Sequence, residues 1–112
     1  MHRPNAWLLE AAAVLALLVV AVLAWAAPTA FAQSFDYHAH CKHIGEVGGG
    51  SYAIEEGCLT MERDAIAKLN AMTIEPRIRS HCAHIGEVGG GSYSIMLGCV
   101  QMEIDAKSRI GR

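Results

Sequence analysis

The sequence is short of several features that mark common classes of protein. Only 18% of its 112 residues are charged, aromatic residues make up 6%, and the 9 Lys and Arg residues do not outnumber the 11 Asp and Glu residues. Because the sequence has no stripe of basic residues, it is not that of a protein that binds nucleic acid through charge. The length excludes two ordinary domains or a large enzyme fold. A disordered chain is excluded by the hydrophobic content of 53% and the net charge of −2.

Two motifs of cofactor chemistry are also missing. There is no Cys-x-x-Cys-His, so covalent c-type haem is not indicated. The glycine-rich run at residues 45–51 lacks the Gly-Lys-Ser/Thr ending of a phosphate-binding loop, and no predicted strand precedes it, so it is interpreted as a connector. A chain of this size offers little pocket from which water is excluded. We therefore expect neither catalysis nor a cofactor.

One long apolar segment is present, and it lies at the N-terminus. Residues 11–27 are an unbroken run of 17 Ala, Val, Leu and Trp residues, preceded by a short polar start with Arg3 and followed by Ala30-Phe31-Ala32. This pattern predicts a signal peptide at residues 1–32, cleaved before Gln33. The alternative is that the segment is retained as a single-pass membrane anchor, since a helix that crosses a bilayer needs ~17–25 apolar residues. Only in that case is the membrane an expected partner. Both place residues 33–112 outside the cytoplasm, in the periplasm or secreted.

The chain after the predicted signal peptide consists of two similar sequence repeats. Residues 40–69 and 81–110 align with an offset of 41, and 19 of the 30 aligned positions are identical. The two repeats are identical at 12 of the 13 positions that end with the tyrosine of Gly-Gly-Gly-Ser-Tyr. They are identical at only 7 of the 17 positions that follow it. The domain organisation is therefore predicted as repeat 1 at residues 33–71 and repeat 2 at residues 72–112.

Each repeat has the pattern of two helices. Ser51 is a typical N-cap before a run whose apolar residues recur every three or four positions, which predicts helices at 51–70 and 92–110. Weaker patterns predict helices at 35–46 and 76–87, with Gly45 as a candidate helix end. The fold class is thus all-α, with two tandem αα-hairpins. The expected inner face of the longer helices includes Ile54, Met61, Ile95, Met102 and Ile110. The expected acid–base pairs at i, i+4 on the other face are Asp64–Lys68, Glu103–Lys107 and Asp105–Arg109.

Four cysteines occupy equivalent places in the repeats. In an exported chain an even number with regular spacing predicts disulfides. Four cysteines allow three connectivities. The hairpin arrangement favours pairing within each repeat, since both cysteines then lie on facing inner stripes. The predicted bridges are Cys41–Cys58 and Cys82–Cys99.

Metal binding is the alternative hypothesis for these residues. His40, His43, His81 and His84 flank Cys41 and Cys82, so each repeat offers two histidines and two cysteines as ligands for zinc or copper. The spacing is poor for structural zinc, which prefers two close pairs. Met61 and Met102 are interpreted as core residues rather than copper ligands. Tyr52 and Tyr93, which follow the N-caps, are candidate contacts for a partner.

A small exported helical hairpin with one cysteine in each arm resembles the LprI-type lysozyme-inhibitor domain of bacteria and related exported two-Cys helical-hairpin repeats. The matching residues are Cys41, Cys58 followed by Glu62, and Leu69-Asn70. Repeat 2 has Cys82, Cys99 and Glu103, but Ile110-Gly111 stands where Leu-Asn is expected. The resemblance implies a non-catalytic module of the bacterial envelope that binds or inhibits another exported protein.

Overall fold

The computed structural model describes Trp7, residues 10–16 and residues 34–112, and the chain divides into two units, Met1–Ala32 and Gln33–Arg112. In the first unit, Trp7 and residues 10–16 are helical and exposed. Within the described residues, the helices are too short or too polar to cross a bilayer. The predicted cleavage site before Gln33 and most of the predicted signal peptide lie outside the described residues.

The second unit consists of four helices. They are α1 (Tyr37–Val47), α2 (Tyr52–Ala71), α3 (Pro76–Val88) and α4 (Tyr93–Arg109). From residue 34 to residue 112 every regular element is helical, so the predicted all-α class is confirmed for this part of the chain. The predicted bounds agree with the observed ones to within two residues at each end.

Side-chain caps explain where three of the helices begin. The N–H of Ile54 donates to Ser51 Oγ at 3.2 Å and the N–H of Ile95 donates to Ser92 Oγ at 3.2 Å, as the predicted N-caps require. At the start of α1, the N–H of Ala39 donates to Asp36 Oδ1 at 3.0 Å. Each cap satisfies a backbone donor that has no acceptor within its own helix.

Gly45 does not end α1, contrary to that expectation. The helix continues to Val47, and Gly45 is buried inside it. A Cβ at this position would lie 3.0 Å from the carbonyl oxygen of Ser51 and 3.1 Å from Glu55 Cβ. Gly45 therefore permits a close approach of α1 and α2. The reversal occurs later, at Gly49 and Gly50, whose φ angles of 85° and 79° disfavour other residues.

A disulfide joins the two helices of each repeat. Cys41 and Cys58 are bonded at 2.03 Å and Cys82 and Cys99 at 2.07 Å, so the predicted pairing within repeats is the one observed. The bonded residues are 17 apart in sequence, and closing a loop of that size stabilises the folded chain by ~3 kcal/mol. A core this small rarely supplies more than ~3–5 kcal/mol, so the bridges contribute a comparable share.

The two repeats contact each other through α2 and α4. The buried residues of these two helices are Glu62, Ala65 and Leu69 on α2, and Met96, Leu97 and Val100 on α4. The predicted inner face is wrong in part, because several large apolar residues of that face are exposed: Ile54, Met61, Ile95, Met102 and Ile110. The spacing of apolar residues predicts one face of each helix as the inner face. Packing between the repeats instead buries a neighbouring face, rotated about the helix axis from the predicted one.

Candidate functional site

A buried carboxylate from repeat 1 caps the start of α4 in repeat 2. Glu62 on α2 is only 2% exposed. Its Oε1 accepts from Ser92 Oγ–H at 2.6 Å and from the N–H of Ser94 at 3.3 Å, and its Oε2 accepts from the N–H of Tyr93 at 2.6 Å. These donors lie at the positive end of the α4 dipole, where a negative charge is favourable. Glu62 therefore holds the two repeats together with charge-assisted hydrogen bonds.

Aromatic side chains surround the same helix start. The ring of Tyr93 lies 4.8 Å from that of Phe35 and 6.0 Å from that of Tyr37, centroid to centroid. The Tyr93 hydroxyl accepts from the N–H of Phe35 at 2.9 Å. Gly86 lets the Phe35 ring approach, since a Cβ there would lie 2.9 Å from two ring carbons. Together these contacts bury the first turn of α4 against repeat 1.

We call the receiving surface the repeat-1 interface, and it consists of Phe35, Tyr37, His40, Glu62, Ala65 and Leu69. His40 belongs to it because a Cβ at Gly90 would lie 2.9 Å from His40 Nδ1. The interface is mostly apolar, with one carboxylate placed where the helix N-terminus arrives.

Repeat 2 carries a groove at the equivalent place. The repeat-2 groove has a volume of about 580 Å³. It is lined by the counterparts, 41 residues later, of five of the six interface residues: Ile78, His81, Glu103, Ala106 and Ile110. The sixth counterpart is Pro76, next to two further lining residues, Glu75 and Arg77. The surface that holds a helix start in repeat 1 is thus present again in repeat 2.

The groove is also charged. Lys107 Nζ donates to the Glu75 carboxylate, and Arg77 and Arg112 lie on the same groove. The hydrogen bond and the charge of Lys107, with a smaller contribution from Arg77, lower the pKa of Glu75 below its usual value. The predicted Glu103–Lys107 pair is therefore wrong, because Lys107 bonds to Glu75 and Glu103 Oε1 lies 3.9 Å from His81 Nε2. The predicted Asp64–Lys68 pair is confirmed at 2.8 Å.

The structure does not support the alternative hypothesis of a metal site. All four cysteines are in disulfides, so they offer no thiolate ligands. Within the described residues no three His, Cys, Asp or Glu side chains are grouped as a metal requires. His43, His81 and His84 are exposed, and His40 lies half-buried at the repeat-1 interface. The interpretation of Met61 and Met102 as core residues is also wrong, since they are 64% and 71% exposed.

The two candidate partner tyrosines have different environments. Tyr93 is half-buried in the contact between the repeats, whereas Tyr52 is 86% exposed. Both follow the same Gly-Gly-Gly-Ser sequence, so the difference arises from packing and not from local sequence. The sequence analysis did not identify the capping role of Glu62. The available signal was a glutamate at the same position of both repeats, beside the apolar stripe of α2.

The resemblance to LprI-type domains, drawn from Cys41, Cys58 and Glu62, stays a prediction. Neither a family model nor a curated protein nor a solved structure matches the chain.

Proposed function

We propose that this protein is an exported, non-enzymatic interaction module in which two tandem helical hairpins bind another exported protein. In this proposal residues 1–32 direct export and are removed before Gln33. The two disulfides support an oxidising location, because such bonds persist in the periplasm or outside the cell and are rare in the cytosol.

The repeat-2 groove is the observation that carries the binding role. In repeat 1 the start of α4 is bonded to Glu62 and lies against Phe35 and Tyr37, and Ala65 and Leu69 of the same surface are buried. In repeat 2 the counterpart of Leu69 is Ile110, which is 68% exposed. The groove combines the apolar side chains of Ile78, Ala106 and Ile110 with charged side chains, as interfaces between proteins that also exist separately do. We therefore assign the partner surface to this groove.

The LprI resemblance makes lysozyme one specific target for this module. The assay is the rate of cell-wall lysis by lysozyme with and without the exported protein. A dose-dependent slowing that is lost in Glu103→Gln would support inhibition through the groove. An unchanged rate would remove lysozyme as the target and leave the binding role to be tested with other exported proteins.

The export and disulfide parts of the proposal have a direct test. The full chain is expressed for export, and the intact mass of the recovered protein is measured with and without reductant, together with a count of free thiols. We expect a chain that begins at Gln33, gains the mass of four hydrogens on reduction and has no free thiol before it. Free thiols in the exported protein would contradict the proposal.

The binding part is tested by site-specific photo-cross-linking in the producing cells. A photoreactive residue is placed at Ile110 in the groove, and a matched control is placed at Thr60, which is exposed on α2 of repeat 1. We expect a defined protein adduct from position 110 and none from position 60. Equal adducts from both positions, or none from either, would argue against the groove as a binding site.

A further inference from the structure

We propose that the repeat-2 groove binds the N-terminal end of α2 from a second copy of this chain, so that copies associate head to tail. The inference rests on the proposed function as an interaction module and identifies the partner. It is argued from a contact that the molecule already makes between its own repeats.

The contact between the repeats is the template. There, the Ser92-Tyr93 start of α4 rests on the repeat-1 interface, and Glu62 accepts hydrogen bonds from Ser92, Tyr93 and Ser94. The recognised element is therefore a helix start with a serine N-cap, a tyrosine after it and free backbone donors. Glu62 supplies the negative charge and Phe35 supplies the apolar contact.

The start of α2 has the same structure, and no described residue covers it. Its N-cap bond, from the N–H of Ile54 to Ser51 Oγ, measures 3.2 Å, the same as in α4. The preceding glycines have φ angles of 85° and 79° before α2 and 92° and 82° before α4. The N–H groups of Tyr52 and Ala53 have no acceptor among the described residues, as is usual for the first turn of a helix. Within the described residues, the serine-capped start of α2 is thus uncovered in each copy.

The repeat-2 groove holds the matching acceptor. Glu103 is the counterpart of Glu62 and is half-exposed in the groove, 3.9 Å from His81 and without a bond to a helix start. Ile78, Ala106 and Ile110 stand where repeat 1 has Tyr37, Ala65 and Leu69. One copy therefore carries both halves of the contact, an uncovered helix start in repeat 1 and an unfilled groove in repeat 2.

The residues that differ between the repeats change in a complementary way. On the helix, the buried Met96 and Leu97 of α4 are replaced in α2 by Glu55 and Glu56. The repeat-2 groove is lined by three cations, Arg77, Lys107 and Arg112, whose counterparts in repeat 1 are Asp36, Ile66 and Ala71. Apart from Glu62, the contact within one chain is mainly between apolar side chains. The contact between copies places the Glu55 and Glu56 carboxylates beside these cations, of which Lys107 is also bonded to Glu75. Such complementarity suits an interface whose two surfaces are also exposed to water in the free protein.

This contact joins two different surfaces, so it is heterologous. A heterologous contact leaves one helix start and one groove free in every dimer and continues into a ring or an open chain. We therefore expect the oxidised, exported protein to show concentration-dependent association beyond the dimer in sedimentation velocity.

The decisive experiment mixes two variants. Tyr52→Ala damages the helix start and Glu103→Gln damages the groove, and each is recovered from export of the full chain. We expect each variant alone to associate on the order of tenfold more weakly than the parent, since each loses one anchoring contact. An equimolar mixture is expected to form 1:1 dimers and nothing larger, because one intact helix start and one intact groove remain.

Matched controls keep the test specific. Val47→Ala removes an exposed apolar side chain outside the contact, and Glu87→Gln removes an exposed carboxylate of α3 that does not line the groove. Both are expected to associate like the parent, and thermal unfolding verifies that all four variants fold.

A parent protein that stays monomeric at concentrations approaching ~1 mM would overturn the inference, since weak specific contacts are populated there. Association unaffected by either damaging variant, or a mixture that fails to dimerise, would also overturn it. The proposed function fails in a distinguishable way. If position 110 cross-links to a different exported protein while the parent stays monomeric, the binding module stands and only self-association is wrong.

Discussion

Glu62→Gln tests whether the buried carboxylate holds the repeats together. Glutamine keeps the size of the side chain but replaces one acceptor oxygen by an NH₂ group, which faces the N–H of Tyr93 or, with the amide turned the other way, the N–H of Ser94. One backbone N–H then loses its acceptor and meets a second donor, and the charge at the start of α4 is lost. A hydrogen bond to a charged group contributes ~1.5–3 kcal/mol and a carboxylate at a helix N-terminus up to ~2 kcal/mol. We therefore expect the free energy of unfolding to fall by about 2–4 kcal/mol.

The measurement is denaturant unfolding of the oxidised protein, followed by circular dichroism at low protein concentration. The melting temperature should fall by on the order of 10 °C or more, given the usual relation for a domain of this size. Glu103→Gln is the matched control because it makes the same change at the equivalent position, where the side chain is half-exposed. We expect it to cost less than about 0.5 kcal/mol, the usual range for a surface substitution. Equal effects of the two substitutions would refute the capping argument.

Three further predictions concern the bridges, the tyrosines and the pH dependence of one carboxyl group. Cys58→Ser should lower the free energy of unfolding by about 3 kcal/mol, and an unchanged melting temperature would show that the bridge is not needed. Tyr93→Phe removes the hydroxyl that accepts a backbone N–H and should cost about 1 kcal/mol, whereas Tyr52→Phe should cost nothing measurable. Because its pKa is lowered, Glu75 keeps its ion pair at neutral pH and loses it as the pH falls through that lowered value. An NMR titration of the Glu75 carboxyl should give a midpoint below 4.5 that rises toward 4.5 in Lys107→Met, and identical midpoints would contradict the proposed cause.

Much of the fold is predictable because its causes are local. Serine before an apolar periodic run predicts an N-cap, and Ser51 and Ser92 both act as one. Regular cysteine spacing in two helices predicts the bridges, since residues on facing stripes are close in space. The role of Gly45 is not predictable in this way, because a glycine at a helix end and a glycine at a close contact between helices have the same appearance in sequence.

The candidate site is less predictable because it depends on contacts between distant parts of the chain. Glu62 acts on residues about thirty positions later, and no local pattern shows that its carboxylate is buried. Tyr52 and Tyr93 have the same preceding sequence and opposite environments. Only the packing of α4 on repeat 1 distinguishes them.

The amino-acid sequence alone determines the duplication, the helical class and the serine-capped helix starts, because each depends on neighbours along the chain or on helical spacing. It allows three cysteine pairings, of which the arrangement of the helices as hairpins selects the one observed. The tertiary structure decides which copy of each duplicated feature is used. Repeat 2 has a preceding repeat against which its helix start packs, so Glu62 is buried and Tyr93 is covered. Repeat 1 has none among the described residues, so Tyr52 stays exposed, and the groove around Glu103 is left without a helix start of its own chain.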